Sequence, residues 1–228
     1  MSGVKKTVNF LISFFATIVF LSLLSNIIRP LIINYSENTI TNIIYPLYIT
    51  IAFLFFIFSQ ALIRRIRSNK ILNENAILLS VNADKFNLNE KLWFYVIVVL
   101  IYFVPFIKNP TLNNLSISRI VLFILTMVGI ELLIRYSSKT IKIHFLRQGM
   151  LVSGFDIRID LPIGIGNVVH NDSGVYTYHD IEGYLIYPDH IEFFLTMERG
   201  KLIFHTDSEI TRQIKGIIKQ NRIPVKQQ

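Results

Sequence analysis

The stretch IIYPLYITIAFLFFIFSQALIRRIRSNK, residues 43–70, decides how this chain is to be read. It runs without a charge through aliphatic and aromatic residues to Ile63, then places Arg64, Arg65, Arg67 and Lys70 in close succession. A helix needs about 20 mostly apolar residues to cross a hydrocarbon layer of about 30 Å, and this run meets that length. Pro46 falls in its first turn, where a missing amide donor costs little. The basic cluster has the composition of a stop held by anionic headgroups rather than of a nucleic-acid patch.

Three further runs flank it. VNFLISFFATIVFLSLLSNII, residues 8–28, is uncharged and is followed at once by Arg29 and Pro30. LWFYVIVVLIYFVPFI, residues 92–107, is shorter and gains length from the preceding Asn-Glu-Lys turn or by tilting. ISRIVLFILTMVGIELLI, residues 117–134, holds Arg119 and Glu131. A soluble helical bundle would give each helix a polar face, and the first run offers only Asn9, Ser13, Thr17, Ser22 and Ser25 for one. The expectation is a transmembrane domain over residues 1–137 with four helices, at about 8–28, 43–63, 91–107 and 117–135.

Composition agrees. Only 17% of the residues are charged, against about 25% for an ordinary soluble domain. Charge is sparse from Thr7 to Leu133, one connector apart, and frequent from Lys139 onward. The chain divides into an apolar half and a polar half, with a formal net charge of +8. It has no cysteine, which excludes disulfide scaffolds and cysteine-ligated metal or iron-sulfur centres.

Lys and Arg in short loops collect on the cytoplasmic side of a membrane. Lys5 and Lys6 precede the first run. The second connector carries the four basic residues above, with Lys85 and Lys91, and Arg135, Lys139 and Lys142 follow the fourth run. Four crossings with both termini cytoplasmic satisfy every loop. The expected interfacial basic residues are Arg64, Arg65, Arg67, Lys70, Arg135 and Lys139. Within the second connector, ILNENAILLSV, residues 71–81, has a partial helical stripe that reads either as an interfacial helix or as a helical segment packed under the bundle.

From Lys139 the period changes. TIKIHFL alternates, with Ile141, Ile143 and Phe145 on one face, and FDIRIDL alternates through Phe155, Ile157, Ile159 and Leu161. IGIGNVV, the turn HNDSG and VYTYHDI follow. YLIYPDHIEFFLT reads as a strand pair turning at Pro188-Asp189, and ERG as a turn before KLIFHT. Asp207 or Ser208 can cap a final helix whose apolar positions 210, 214, 217 and 218 form one stripe. About seven short strands and a terminal helix over residues 138–228 predict an α+β chain, ending in a small barrel or bent sheet that the helix closes.

The run GVYTYHDIEGYLIYPDHIEFFL, residues 174–195, resembles small bacterial multi-pass membrane proteins whose transmembrane helices precede a pleckstrin-homology-like (PH-like) domain. The aromatic, isoleucine and tyrosine places of that pattern are taken by Tyr178, Ile181 and Tyr184. The resemblance implies a cytoplasmic interaction module over roughly residues 140–220, without assigned chemistry. It makes Tyr178, Tyr184 and Tyr187 candidate partner-binding residues. The basic phosphoinositide-binding loop of many eukaryotic PH domains is missing, so that specificity is not carried over.

Two polar residues stand inside apolar runs. Glu131 lies about 6 Å of helix rise from Arg135, at the spacing of an i,i+4 ion pair, and the alternative is an ion or proton relay. Arg119, near the outer end, is expected to snorkel. His170 with Asp172 and His179 with Asp180 could suggest a metal or acid-base cluster, but none of the five histidines has HExxH or i,i+4 helical spacing. GxSxG, the phosphate loop and the complete dinucleotide fingerprint are also missing.

No enzyme activity and no cofactor or metal is expected. The expected partners are the lipid bilayer and a membrane protein or a second copy, with no nucleic acid. The leading expectation is a non-enzymatic accessory, immunity or regulatory protein of the cell membrane, whose PH-like module binds a protein or the inner leaflet. A small oligomeric transporter or channel using Glu131, and a lipid-modifying enzyme, are the alternatives.

Overall fold

A computed structural model describes residues 2–108, 116–159, 174–196 and 200–226, with no side chains for 2–6, 31 and 105–108. The protein is α+β, with a helical N-terminal part and a C-terminal sheet region. Helix α1 (Ser2–Ile32) leads through a short α2 (Glu37–Thr39) and a π-helical turn (Ile40–Ile44) into α3 (Tyr45–Glu74). Strand β1 (Ile77–Asn82) follows, then α4 (Leu88–Lys108) and α5 (Ile117–Thr140). The remaining elements are β2 (Lys142–Leu146), β3 (Gly149–Ser153), β4 (Val175–Thr177), a 3-10 turn (Tyr178–Asp180), β5 (Ile181–Ile186), β6 (His190–Leu195), β7 (Lys201–His205) and α6 (Ser208–Gln220).

Among the described residues, three helical stretches are long and apolar enough to cross a membrane: Thr7–Pro30, Glu37–Glu74 and Ile117–Thr140. The run expected as the third crossing is helical as well, as α4, and starts with a reciprocal cap. Asn87 accepts from the Glu90 amide through Oδ1, and Glu90 accepts from the Asn87 amide (2.8 and 2.9 Å).

The helices pack by aromatic contacts and a few polar ones. Phe20 of α1 stacks on Phe55 of α3 at 4.1 Å, and Tyr48 donates to the Leu21 carbonyl. Thr50, Tyr102 and Thr126 form a hydroxyl chain across α3, α4 and α5. Large apolar side chains such as Phe15, Val19, Leu125 and Leu132 are outward and exposed, the inverse of a water-soluble surface.

The fold departs from the sequence expectations at several points. α1 runs past Arg29 and through Pro30 to Ile32. α3 does not stop at its basic cluster but continues to Glu74, about 45 Å of helix, longer than a hydrocarbon layer. Residues 71–81 are neither an interfacial helix nor a helical segment under the bundle: the helix ends at Glu74, and ILLSVN forms β1. Its alternating burial, with Leu79 and Val81 turned inward, is strand periodicity hidden in a short apolar run.

β1 pairs antiparallel with β2, in the register Val81 to Ile143 and Leu79 to Phe145. The α4–α5 hairpin is thus inserted between two neighbouring strands of one sheet, ordered β1-β2-β3-β4. A division at 137/138 would cut through that sheet. A second sheet, β5-β6-β7, joins it where Ala83 bridges Phe204 and the Asp84 amide donates to Ile203. The core between them is Ile143, Phe145, Ile191, Phe193, Leu202 and Phe204. α6, capped by Asp207, lays Ile214 and Ile218 onto it as the apolar stripe requires.

The described part of FDIRIDL, residues 155–159, is irregular rather than a strand, and Asp160 and Leu161 lie outside the described residues. The expectations for IGIGNVV and for His170 with Asp172 also lie outside them.

Candidate functional site

The helices meet the sheet through one buried polar junction. Arg64, on the sheet-facing side of α3, is fully buried, and its Nη2 donates to the main-chain oxygens of Asp156 and Arg158 (2.5 and 2.6 Å). Ser137 of α5 accepts from the Ile157 amide and donates to the Phe155 carbonyl. Thr140 accepts from the Phe155 amide. Residues 155–158 are therefore irregular because side chains of two helices, rather than a neighbouring strand, satisfy their backbone.

Charges close the junction. Asp156 is fully buried, and its Oδ1 accepts from the Arg158 amide. Arg158 pairs with Glu90 of α4 at 2.8 Å, lies 4.5 Å over the Phe86 ring and reaches the Asp84 carbonyl at 3.4 Å. Two guanidinium groups and two carboxylates thus share one desolvated site, where losing one partner is costly. Gly154 makes the turn into this strap: its φ is +121°, and a Cβ there would lie 2.3 Å from the Thr140 carbonyl oxygen.

Asp84 also faces the surface. Its Oδ1 contacts His205 Nε2 at 3.0 Å. His205 lies edge-on to His190, whose Nδ1 meets Asp189 at 2.7 Å and whose ring stacks on Tyr187 at 4.4 Å. Glu192, at the end of this patch, accepts from Lys201. The hydrogen bond from His190 holds the Asp189 carboxyl below its ordinary pKa. The patch therefore sits one residue away from the junction, through Asp84.

Of the expected basic anchors, Arg64 is buried and acts as an internal tie. Arg67 donates to Asn9 of α1 and is half-buried. Arg65, Lys70, Arg135 and Lys139 are exposed. Arg119 does not snorkel outward: it is buried and donates to the Thr41 carbonyl of the π-helical turn (2.6 Å). Glu131 accepts from Tyr95 (2.6 Å) and from Arg135 (2.8 Å), with Lys91 at 3.9 Å.

Tyr178 is buried and donates to the Leu146 carbonyl, and burial pushes its phenol up to about 12. Tyr184 is half-buried against Phe193, which leaves Tyr187 as the exposed tyrosine of the three. His144 was not singled out by sequence. It lies buried between Ser80 and Ser153, at 2.8 and 2.7 Å, and desolvation, then Lys142, lowers its pKa. The only sequence signal for it was a histidine in an alternating strand, which does not say which face is covered. No cluster of metal-ligating side chains occurs among the described residues.

Comparison with family models, curated proteins and solved structures finds no match to this chain.

Proposed function

We propose that this chain is a non-enzymatic multi-pass protein of the cell membrane, with four crossings and both termini cytoplasmic. Its β module, read as PH-like, docks a protein partner, as an accessory, immunity or regulatory subunit. The observation that carries the reading is the buried junction: Arg64, Ser137 and Glu90, from three different helices, all hold the strap at residues 155–158. A module tied so tightly to membrane helices suits holding a binding surface at a fixed height and orientation.

Arg65, Lys70, Arg135 and Lys139 stand at the sheet end of the helices, which supports a cytoplasmic module under the positive-inside rule. The surface patch favours a protein partner over the anionic leaflet, because Asp84 and Asp189 are interspersed with His190 and His205, while Glu192, itself buried, pairs with Lys201. Glu131, satisfied by Tyr95 and Arg135, lends no support to an ion relay.

The test is photo-crosslinking in native membranes from a reactive side chain placed at Tyr187, with recovery of the adduct in mild detergent. One discrete protein adduct at fixed stoichiometry, lost on changing His190 and His205 to Ala, is expected. A uniform monomer, without an adduct from Tyr187, His190 or His205, would overturn the docking role.

A further inference from the structure

Helix α1 packs on α3 through Asn9, Ser13, Phe20 and Leu21. Its opposite face carries Leu11, Phe15 and Ile18, then Ser22, Ser25 and Arg29, at alternating four- and three-residue steps, with Asn26 beside them. All are exposed. The upper part of this outward surface therefore carries polar groups beside the exposed Leu23 and Ile27, although it belongs to the most hydrophobic class of segment in the chain. Ser22 lies about 12 Å of helix rise below Pro30, well inside a hydrocarbon layer if α1 spans it.

Polar side chains facing lipid are normally satisfied within their own helix or by a neighbour. Thr17 follows the first course and donates to the Ser13 carbonyl. Ser22, Ser25 and Asn26 make no side-chain hydrogen bond among the described residues. Without a hydrophobic drive between helices in lipid, such groups are what holds membrane helices together.

We infer that this face of α1 is a self-association surface, joining two copies of the chain in the membrane. A second copy fits because the groups are self-complementary. A carboxamide both donates and accepts, as does a serine hydroxyl, so a two-fold contact satisfies both members of each pair. Serine at adjacent turns also lets two backbones approach closely. The outward face of α5, by contrast, presents Val121, Leu125 and Val128 and is suited to lipid alone. Arg29, at the end of the seam, lies where headgroup phosphates separate the two like charges. The inference rests on α1 spanning the bilayer.

The absence of native cysteine makes the test clean. Single variants Ile18→Cys, Ser22→Cys and Ser25→Cys are compared in native membranes with Val121→Cys and Leu125→Cys under mild oxidation. Crosslinked dimers are expected from the three α1 positions and not from α5. Asn26→Leu should reduce dimer from Ser25→Cys by about five-fold, the scale of one interhelical hydrogen bond, and Asn26→Gln should retain it. Equal crosslinking at α1 and α5, no crosslinking at either, or an adduct of another mass would overturn the pairing.

A membrane-impermeant maleimide separates the two premises. Ser22→Cys shielded from it but not crosslinked rejects self-association alone, while rapid labelling rejects the membrane span as well.

Discussion

Arg64 Nη2 donates to the main-chain oxygen of Asp156, joining the middle of α3 to a residue 92 positions later in the chain. The same nitrogen also reaches the Arg158 carbonyl, so one buried guanidinium anchors two peptide groups of the strap. Arg64→Met leaves both carbonyls without this donor and should cost about 2–4 kcal/mol. Arg65→Met, at the exposed neighbouring position, should stay within about 0.5 kcal/mol. Thermal unfolding of both variants in mild detergent distinguishes a tie from a surface anchor, and equal losses would refute the tie.

His144 gives the module a pH dependence. Its pKa in the fold lies below the ordinary value of about 6.5, chiefly because burial disfavours the charged ring. The unfolded chain therefore binds the proton more readily. The stabilising contribution is complete above about pH 6.5 and is lost as pH falls toward the folded pKa. Melting temperature should drop between about pH 7.5 and 5.5 in the native protein, and less steeply in His144→Gln. Identical slopes would show that another group controls the acid limb.

Tyr95, Glu131 and Arg135 should behave as a modest structural cluster. With Arg135 largely exposed, the i,i+4 pair is worth about 0.3–0.5 kcal/mol. A double-mutant cycle of Arg135→Met with Glu131→Gln should give a coupling of that order. Ion flux in proteoliposomes that depended on Glu131 would instead restore the relay reading.

Two glycines should respond in opposite directions to alanine. Gly154→Ala combines strain at φ +121° with a backbone clash and should destabilise by at least about 2 kcal/mol. Gly129, in the interior of α5, has open space around it, with no atom beyond the helix's own nearby backbone within 4 Å of where an alanine Cβ would sit. Gly129→Ala should therefore stabilise by about 0.5–1 kcal/mol. Unfolding midpoints of the two variants check the pair of signs.

Features written in neighbouring residues were legible. Uninterrupted hydropathy marked the long helices, the 210, 214, 217 and 218 spacing with Asp207 marked α6, and Pro188-Asp189 marked the turn between β5 and β6. Glu131 and Arg135 pair as their i,i+4 spacing requires. What escaped was any choice that depended on a distant partner. ILLSVN fits a helical stripe as well as a strand until Ile143 and Phe145 are beside it. FDIR alternates like a strand, yet Ser137, Thr140 and Arg64 take its backbone groups.

The sequence by itself determined which segments avoid water and which alternate, because hydration and backbone period are properties of residues close in the chain. Only the tertiary structure decided that α4 and α5 interrupt a sheet, that one arginine of the basic cluster faces inward, and that polar atoms of α1 face outward. Those outcomes depend on which donors and acceptors come together in space, and a hydrogen bond across 92 residues leaves no local periodicity to read.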